Sequence, residues 1–123
     1  MDEGLIIDDN RQTADALNQM LGVLRFKARV AYGSSAAMEL LGTSFTPKFI
    51  CLDINMPGVD GTEILAYLKR EPRLMPVPVF VITSDDQPET RTKVMKLGAT
   101  AMLIKPATID AMETAFKTAK MLA

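Results

Sequence analysis

Residues 49–58 read Phe-Ile-Cys-Leu-Asp-Ile-Asn-Met-Pro-Gly: an apolar run, an acidic residue and then a turn-rich segment. An apolar run that does not alternate with polar residues is typical of a strand buried on both faces of a parallel sheet. Similar short runs occupy residues 5–7, 77–82 and 101–104. Residues 27–31 alternate weakly, which indicates an edge strand. The quoted stretch therefore predicts the central strand of a five-stranded parallel sheet.

Segments with helical spacing of apolar residues separate these runs. The first follows Asn10, the second is expected to be capped by Ser34 or Ser35, and the third by Thr62. A fourth covers residues 87–97 and a fifth residues 110–122. Five strands alternating with five helices predict a doubly wound, flavodoxin-like α/β architecture, and 123 residues form one domain, residues 1–123.

Polar residues follow the ends of the apolar runs. They are Asp8 and Asp9, Asp53, Thr83 and Lys105. Because the carboxyl ends of parallel strands meet at one edge of a sheet, we expect these residues to share a pocket. Three carboxylates and one ammonium group in one pocket predict a divalent cation and an anionic ligand.

The composition excludes several classes of function. The chain has no histidine, which excludes Ser-His-Asp and Cys-His catalysis, ordinary zinc sites and a role as a phosphohistidine carrier. The single cysteine, Cys51, lies in an apolar run, so we expect a buried thiol, no internal disulfide and a cytoplasmic protein. No apolar stretch approaches the roughly 18 residues of a membrane span, and the first four residues lack a cationic leader.

The charge is distributed unevenly along the chain. The net charge is −1, but residues 91–123 carry 6 basic and 2 acidic side chains. A nucleic-acid binder would show a stronger basic excess, so direct nucleic-acid binding is not expected. The basic segment is interpreted as a protein-contact face, with a solvated surface as the open alternative.

The order of the polar residues resembles the receiver domain of two-component response regulators. An acid pair follows the first strand, Asp53 follows the third with Pro57 and Gly58 behind it, Thr83 follows the fourth, and Lys105 is followed by Pro106. The resemblance covers the whole chain. Each element alone is weak, but four elements in order at four strand ends make a strong combined pattern.

The resemblance implies a role for each residue. Asp53 would be the phosphoacceptor, and the Lys105 ammonium and the Thr83 hydroxyl would bind phosphoryl oxygens. A magnesium ion would be bound directly by Asp9, Asp53 and the Asn55 backbone carbonyl, and by Asp8 mainly through water. Lys105 is interpreted as a solvated strand-end residue, so its replacement is expected to cost little folding stability.

The resemblance also implies how the domain works. A sensor histidine kinase or a histidine phosphotransfer protein would donate the phosphoryl group, and a downstream protein or a second copy would bind through residues 87–122. The chain would be a signalling module that catalyses only its own phosphorylation and dephosphorylation. Thr83 and Met102, which occupies a position that is often aromatic, would form the switch. Asn55 and Asp85 would set a short phosphate lifetime.

Two other functions and one structural explanation are open at this point. A haloacid-dehalogenase-like phosphatase would need an acid where Asn55 stands. A flavodoxin-like cofactor-binding module would need a hydroxyl- and glycine-rich phosphate loop after the first strand, where the sequence has acids. The structural explanation is that residues 8–10 and 83–85 merely cap helices, that Asp53 is an ordinary strand-end acid and that Lys105 is a solvated residue before a turn-forming proline.

Overall fold

The computed structural model describes residues 3–56 and 58–122. In these ranges the chain forms seven strands: β1 (Glu3–Ile7), β2 (Lys27–Ala31), β3 (Ile50–Leu52), β4 (Asn55–Met56), β5 (Val59–Asp60), β6 (Val79–Thr83) and β7 (Ala101–Ile104). Five of them pair in parallel in the order β2-β1-β3-β6-β7, and β4 and β5 form a separate antiparallel pair. The predicted central strand, β3, lies in the middle of the sheet.

Five helices cover the two faces of this sheet within the described ranges. They are α1 (Arg11–Val23), α2 (Ser34–Leu41), α3 (Gly61–Arg70), α4 (Pro88–Lys96) and α5 (Ile109–Thr118). Buried residues of α1 and α5 belong to one apolar cluster, and those of α2, α3 and α4 belong to the other. The predicted doubly wound α/β architecture is confirmed.

The two apolar clusters differ in their side chains. Alternate residues of each central strand enter opposite clusters, as the two-residue period of a strand requires. On the α1 and α5 side, Phe116 contacts three other rings, with centroid distances of 4.4 Å to Phe80, 4.9 Å to Phe26 and 5.1 Å to Phe49. The buried residues of the opposite cluster are aliphatic or methionine.

Two helix caps differ from the sequence expectation. Gly33, with φ of 123°, precedes α2, and neither Ser34 nor Ser35 caps that helix because both lie inside it. A side chain at position 33 would be strained at this φ. Asp60 rather than Thr62 caps α3, where its Oδ1 accepts a 2.9 Å hydrogen bond from the Thr62 backbone N–H.

Element boundaries also differ. The last helix begins at Ile109 after a Thr108 cap and ends at Thr118, so the expected extension to residue 122 is wrong. The expected loop after β3 contains the short β4–β5 hairpin. β7 is an edge strand rather than a fully buried one, and Ile104 is 38% exposed. In the described part of the chain, no helix is long and apolar enough to cross a bilayer.

Candidate phosphoryl-transfer site

The structure brings the predicted polar residues to one edge of the sheet. Asp8 follows β1, Asp53 follows β3, Thr83 ends β6 and Lys105 follows β7. β1 and β3 are neighbours, with Ile7 beside Leu52, so the two acidic residues that follow them lie side by side. Asp8, Asp53 and Thr83 are all buried. The convergence expected from the parallel topology is therefore observed.

Lys105 connects the two buried carboxylates. Its Nζ lies 2.9 Å from Asp8 Oδ2 and 3.3 Å from Asp53 Oδ2. Only 19% of the Lys105 side chain is exposed. The interpretation of Lys105 as a solvated residue is therefore wrong, because its ammonium group lies between two acids.

The second oxygen of each buried carboxylate is bound by the backbone. Asp8 Oδ1 accepts a 2.9 Å hydrogen bond from the Asn10 N–H, and Asp53 Oδ1 accepts a 3.0 Å bond from the Asn55 N–H. Each carboxylate therefore has one oxygen on a backbone donor and one on Lys105. This pattern fixes the orientation of both groups before any ligand binds.

The acidic cluster has the composition of a divalent-cation site. Asp8, Asp9 and Asp53 each offer a carboxylate oxygen, and these oxygens lie within 4.8 Å of one another. Asp9 is exposed, unlike the other two. Three carboxylates beside one ammonium group leave an excess of negative charge in a partly desolvated place, and hard oxygen donors suit Mg²⁺. The residues present fit this ion.

Burial and charge shift the ionisation of the site. Burial raises the pKa of Asp53, as does the nearby Asp8 charge, while the Asn55 N–H bond and the Lys105 charge act in the opposite direction. Burial alone would lower the pKa of Lys105, but its bond to Asp8 and the charges of both acids outweigh that effect and raise it. The ammonium group therefore stays charged across the physiological pH range.

The Thr83 hydroxyl is bound from two sides. Its Oγ1 accepts a 3.3 Å hydrogen bond from the Asn55 side-chain amide and a 3.2 Å bond from the Asp85 backbone N–H. Asp85 in turn accepts bonds from the Gln87 N–H at 3.0 Å and the Thr90 hydroxyl at 2.7 Å, and these two bonds lower its pKa. A chain of hydrogen bonds thus joins the loop after β3 to the first turn of α4.

Met102 is buried in the cluster on the α2, α3 and α4 side. Its backbone carbonyl accepts a 3.3 Å hydrogen bond from the Arg91 guanidinium group of α4. Its expected repacking during switching stays a prediction. Sequence reasoning missed Thr90 and Arg91, because a hydroxyl five residues after an acid and an arginine on a polar helix match no motif. Pro57, which the resemblance used, lies outside the described residues.

A groove adjoins the site on the α1 side. It has a volume of about 380 Å³. Its lining is mainly apolar and comprises Gln12, Thr13, Ala16, Leu17, Met20, Ile82, Lys105, Pro106 and Ala107. The groove therefore leads from the surface of α1 to the ammonium-bearing residue of the site.

Residues 5–117 match the family model of the response regulator receiver domain. The chain belongs to this family. The sequence resemblance is thereby confirmed, and the receiver domain is a signalling module of two-component systems.

Individual relatives agree with the family assignment. The chain is 28% identical over 113 residues to a probable methanogenesis regulatory protein of Methanothrix harundinacea, covering 86% of this chain and 73% of that protein. It is 32% identical over 102 residues to the transcriptional regulatory protein FixJ of Bradyrhizobium diazoefficiens, covering 82% of this chain and 48% of FixJ. The receiver domain thus spans about half of that regulator.

Solved structures show the same fold. The signal receiver domain of a DNA-binding response regulator from Colwellia psychrerythraea superposes with a TM-score of 0.88 at 29% identity, covering 98% of this chain and 99% of that one. A response regulator from Burkholderia pseudomallei, solved with a phosphorylated aspartic acid, a calcium ion and citrate, gives 0.83 at 26% identity, covering 98% and 71%.

Proposed function

We propose that this receiver domain accepts a phosphoryl group from a phosphohistidine onto Asp53 and thereby switches its surface for a partner. One observation carries the proposal: Asp53 is a buried carboxylate with Lys105 Nζ 3.3 Å from one oxygen and two further acids within 4.8 Å. An ammonium group and a cation-binding cluster beside a single oriented carboxylate suit phosphoryl transfer, which asks mainly for positioning and charge stabilisation.

The transfer is a substitution at phosphorus. An Asp53 oxygen forms a bond to phosphorus while the bond from phosphorus to the donor's histidine nitrogen breaks, and the nitrogen keeps the electron pair. The backbone N–H of Asn55 orients the attacking carboxylate. Lys105, already in contact with Asp53, donates to a phosphoryl oxygen, and the Thr83 hydroxyl donates to another.

Mg²⁺ would be held directly by Asp9, Asp53 and the Asn55 carbonyl, and by Asp8 mainly through water. The ion supplies neutralisation of the negative charge that an incoming phosphoryl group adds to an acidic pocket. The solved Burkholderia response regulator, which holds a phosphorylated aspartic acid and a calcium ion, supports this assignment. The donor would be a sensor histidine kinase or a histidine phosphotransfer protein, and this domain would receive the phosphoryl group in the cytoplasm.

Residues 87–122 would carry the output surface. The hydrogen bonds of Thr83 lead to the start of α4, and Met95, Ile104 and Ile109 expose apolar surface in this segment. The segment also carries the basic excess of the chain. A downstream protein with an acidic rim, or a second copy, is the expected partner.

Asn55 and Asp85 would set a short phosphate lifetime. Both are short and polar, so water keeps access to the acyl phosphate, which bulky apolar residues would shield. The wild-type protein is expected to lose phosphate rapidly once the donor is removed, and a species that stays phosphorylated for many hours would contradict this expectation. Asn55→Leu combined with Asp85→Leu should slow the loss; an unchanged rate would show that these positions do not control it.

Labelling with a small phosphodonor tests the central proposal. Acetyl phosphate with Mg²⁺ should add one phosphoryl group, detected by mass spectrometry, and omission of Mg²⁺ should suppress the reaction. Asp53→Asn should abolish it. Asp60→Asn is the matched control, since Asp60 is exposed and its carboxylate is bound by Thr62 at the start of α3 rather than by Lys105. Labelling that persists in Asp53→Asn would refute the phosphoacceptor assignment.

A further inference from the structure

We infer that Asn55 is a positioning residue for Thr83: its side-chain amide presets the Thr83 hydroxyl as a hydrogen-bond donor to the phosphoryl group. The inference rests on the proposed phosphorylation of Asp53. It assigns to Asn55 a task separate from the carbonyl that would ligand the cation and from any effect on water.

The Thr83 hydroxyl accepts two hydrogen bonds and keeps its proton for a further partner. A hydroxyl has two lone pairs and one proton. In the described structure, the Thr83 Oγ1 accepts from the Asn55 amide at 3.3 Å and from the Asp85 N–H at 3.2 Å. Both lone pairs are thus engaged. Among the described residues, the hydroxyl donates to no acceptor, so its proton is available to an incoming group.

Thr83 lies close to Asp53 because the two residues stand at the ends of the paired strands β6 and β3. β3 and β6 are paired with Leu52 beside Val81, so Thr83 extends one residue further along the sheet than Asp53. Thr83 is completely buried. A buried donor without an acceptor carries a desolvation cost, and a phosphoryl oxygen on Asp53 would remove it.

Asn55 contacts both the nucleophile and the switch residue. Its backbone N–H donates to Asp53 Oδ1 at 3.0 Å, and its side chain donates to Thr83. The two functions are separable by mutation, because Asn55→Ala removes the amide and keeps the backbone N–H and carbonyl. The loss frees one lone pair of Thr83, and the hydroxyl proton is no longer confined to one direction.

A double-mutant cycle tests the inference. The probe is beryllium fluoride with saturating Mg²⁺, and the readout is its apparent Kd from NMR titration. Asn55→Ala should weaken binding about 3- to 10-fold, the range of one net hydrogen bond. In a Thr83→Val background, which lacks the hydroxyl, the same substitution should change binding by less than about 2-fold, because no group remains to be positioned.

A second variant separates positioning from packing. The carboxylate of Asn55→Asp accepts but does not donate, so it competes with the phosphoryl group for the Thr83 proton. Its loss of affinity should therefore be larger in the Thr83 background than in Thr83→Val, while simple charge repulsion would be equal in both. Mg²⁺ is kept saturating for every variant, so the differences in apparent Kd report the binding of beryllium fluoride.

The outcomes are distinguishable. Equal weakening by Asn55→Ala in both backgrounds would mean that Asn55 acts on the ligand directly, and an unchanged Kd in the Thr83 background would mean that the amide is not needed; either result overturns the inference. A wild-type protein that binds no beryllium fluoride in the presence of Mg²⁺ would overturn the proposed function itself, and the inference with it.

Discussion

Replacing Lys105 by methionine is expected to destabilise the metal-free protein by about 2–3 kcal/mol at pH 7. Methionine keeps the apolar stem and about the same length but removes the charge. Asp8 and Asp53, both buried, then lose their shared cation. This expectation replaces the smaller effect that a solvated lysine would produce.

The size of this destabilisation follows from the two short contacts of Lys105 with Asp8 and Asp53. At an effective dielectric constant of about 20, unit charges about 3 Å apart attract by about 5 kcal/mol, and desolvation of the ammonium group offsets part of this. Breaking a fully buried ion pair by removing one partner costs about 3–5 kcal/mol. Because 19% of the Lys105 side chain is exposed, water reaches the vacated position and lowers the cost.

Urea unfolding in the presence of a chelator measures the effect. A loss of 2–3 kcal/mol corresponds to a fall in Tm of roughly 10 °C for a chain of this size. Lys117→Met is the matched control, because Lys117 lies 4.0 Å from Glu113 on an exposed helix face, and such a pair contributes less than about 0.5 kcal/mol. Saturating Mg²⁺ should reduce the loss of stability caused by Lys105→Met, because the ion replaces the missing positive charge.

The contribution of Lys105 to stability should depend on pH in a defined direction. The pKa of Lys105 is raised in the folded protein, so its contribution is present below the ordinary lysine value of about 10.4 and disappears as the pH rises through the folded-state value. The variant should regain relative stability in acid as Asp53, whose pKa is raised by burial, takes up a proton. A deficit below about 0.5 kcal/mol that is unaffected by Mg²⁺ would refute the electrostatic reasoning.

Three further results are expected. Asp60→Ala should destabilise α3 by about 1 kcal/mol in urea unfolding at pH 7. Hydrogen bonds from Thr62 in the first turn of α3 lower the pKa of Asp60. The stabilisation that Asp60 provides is therefore present above about pH 4 and is lost as the pH falls through its folded-state pKa. Burial raises the pKa of Cys51 to about 12, so a thiol reagent should react with it only after denaturation; rapid labelling of the native protein would contradict its burial. Gly61→Ala should destabilise the protein by about 2–4 kcal/mol or prevent folding, because a Cβ at position 61 would lie 2.2 Å from the Ile54 Cα. Gly22→Ala should instead stabilise α1 by about 0.5–1 kcal/mol, because a Cβ at position 22 would have no other atom within 4 Å.

Apolar runs and strand-end residues were sufficient to predict most of the fold and the members of the site. Runs such as residues 50–52 have one stable placement, inside a sheet covered on both faces, and the parallel topology then brings the following residues together. The position of Asp53 followed from this reasoning. The roles of the site residues stay predictions until they are tested by labelling and binding.

Features that depend on atomic packing were not predictable from the sequence. The environment of Lys105 depends on how far β7 extends relative to β1 and β3, and a hydrophobic pattern does not encode that distance. The sequence indicates Thr62 as the cap of α3, whereas Asp60 caps it in the structure, because both residues have cap-forming side chains and differ only in backbone geometry. The amide of Asn55 reaches Thr83 across 28 residues of sequence, a contact that no local spacing indicates.

The unequal side-chain content of the two sheet faces has a mechanical consequence. In the described structure, the buried rings, Phe49, Phe80 and Phe116, all lie on the α1 and α5 side, and rings that meet at defined angles resist sliding. Strand alternation directs Thr83 and Met102 to the other face, where no ring is fully buried among the described residues and the flexible side chains of Met56 and Met102 rearrange at low cost. The α1 and α5 side of the sheet is thus expected to be rigid, and the α2, α3 and α4 side is expected to repack more easily. We therefore expect a displacement that begins at Asp53 and Thr83 to move α4 and β7, and α1, the helix next to the groove, to stay in place.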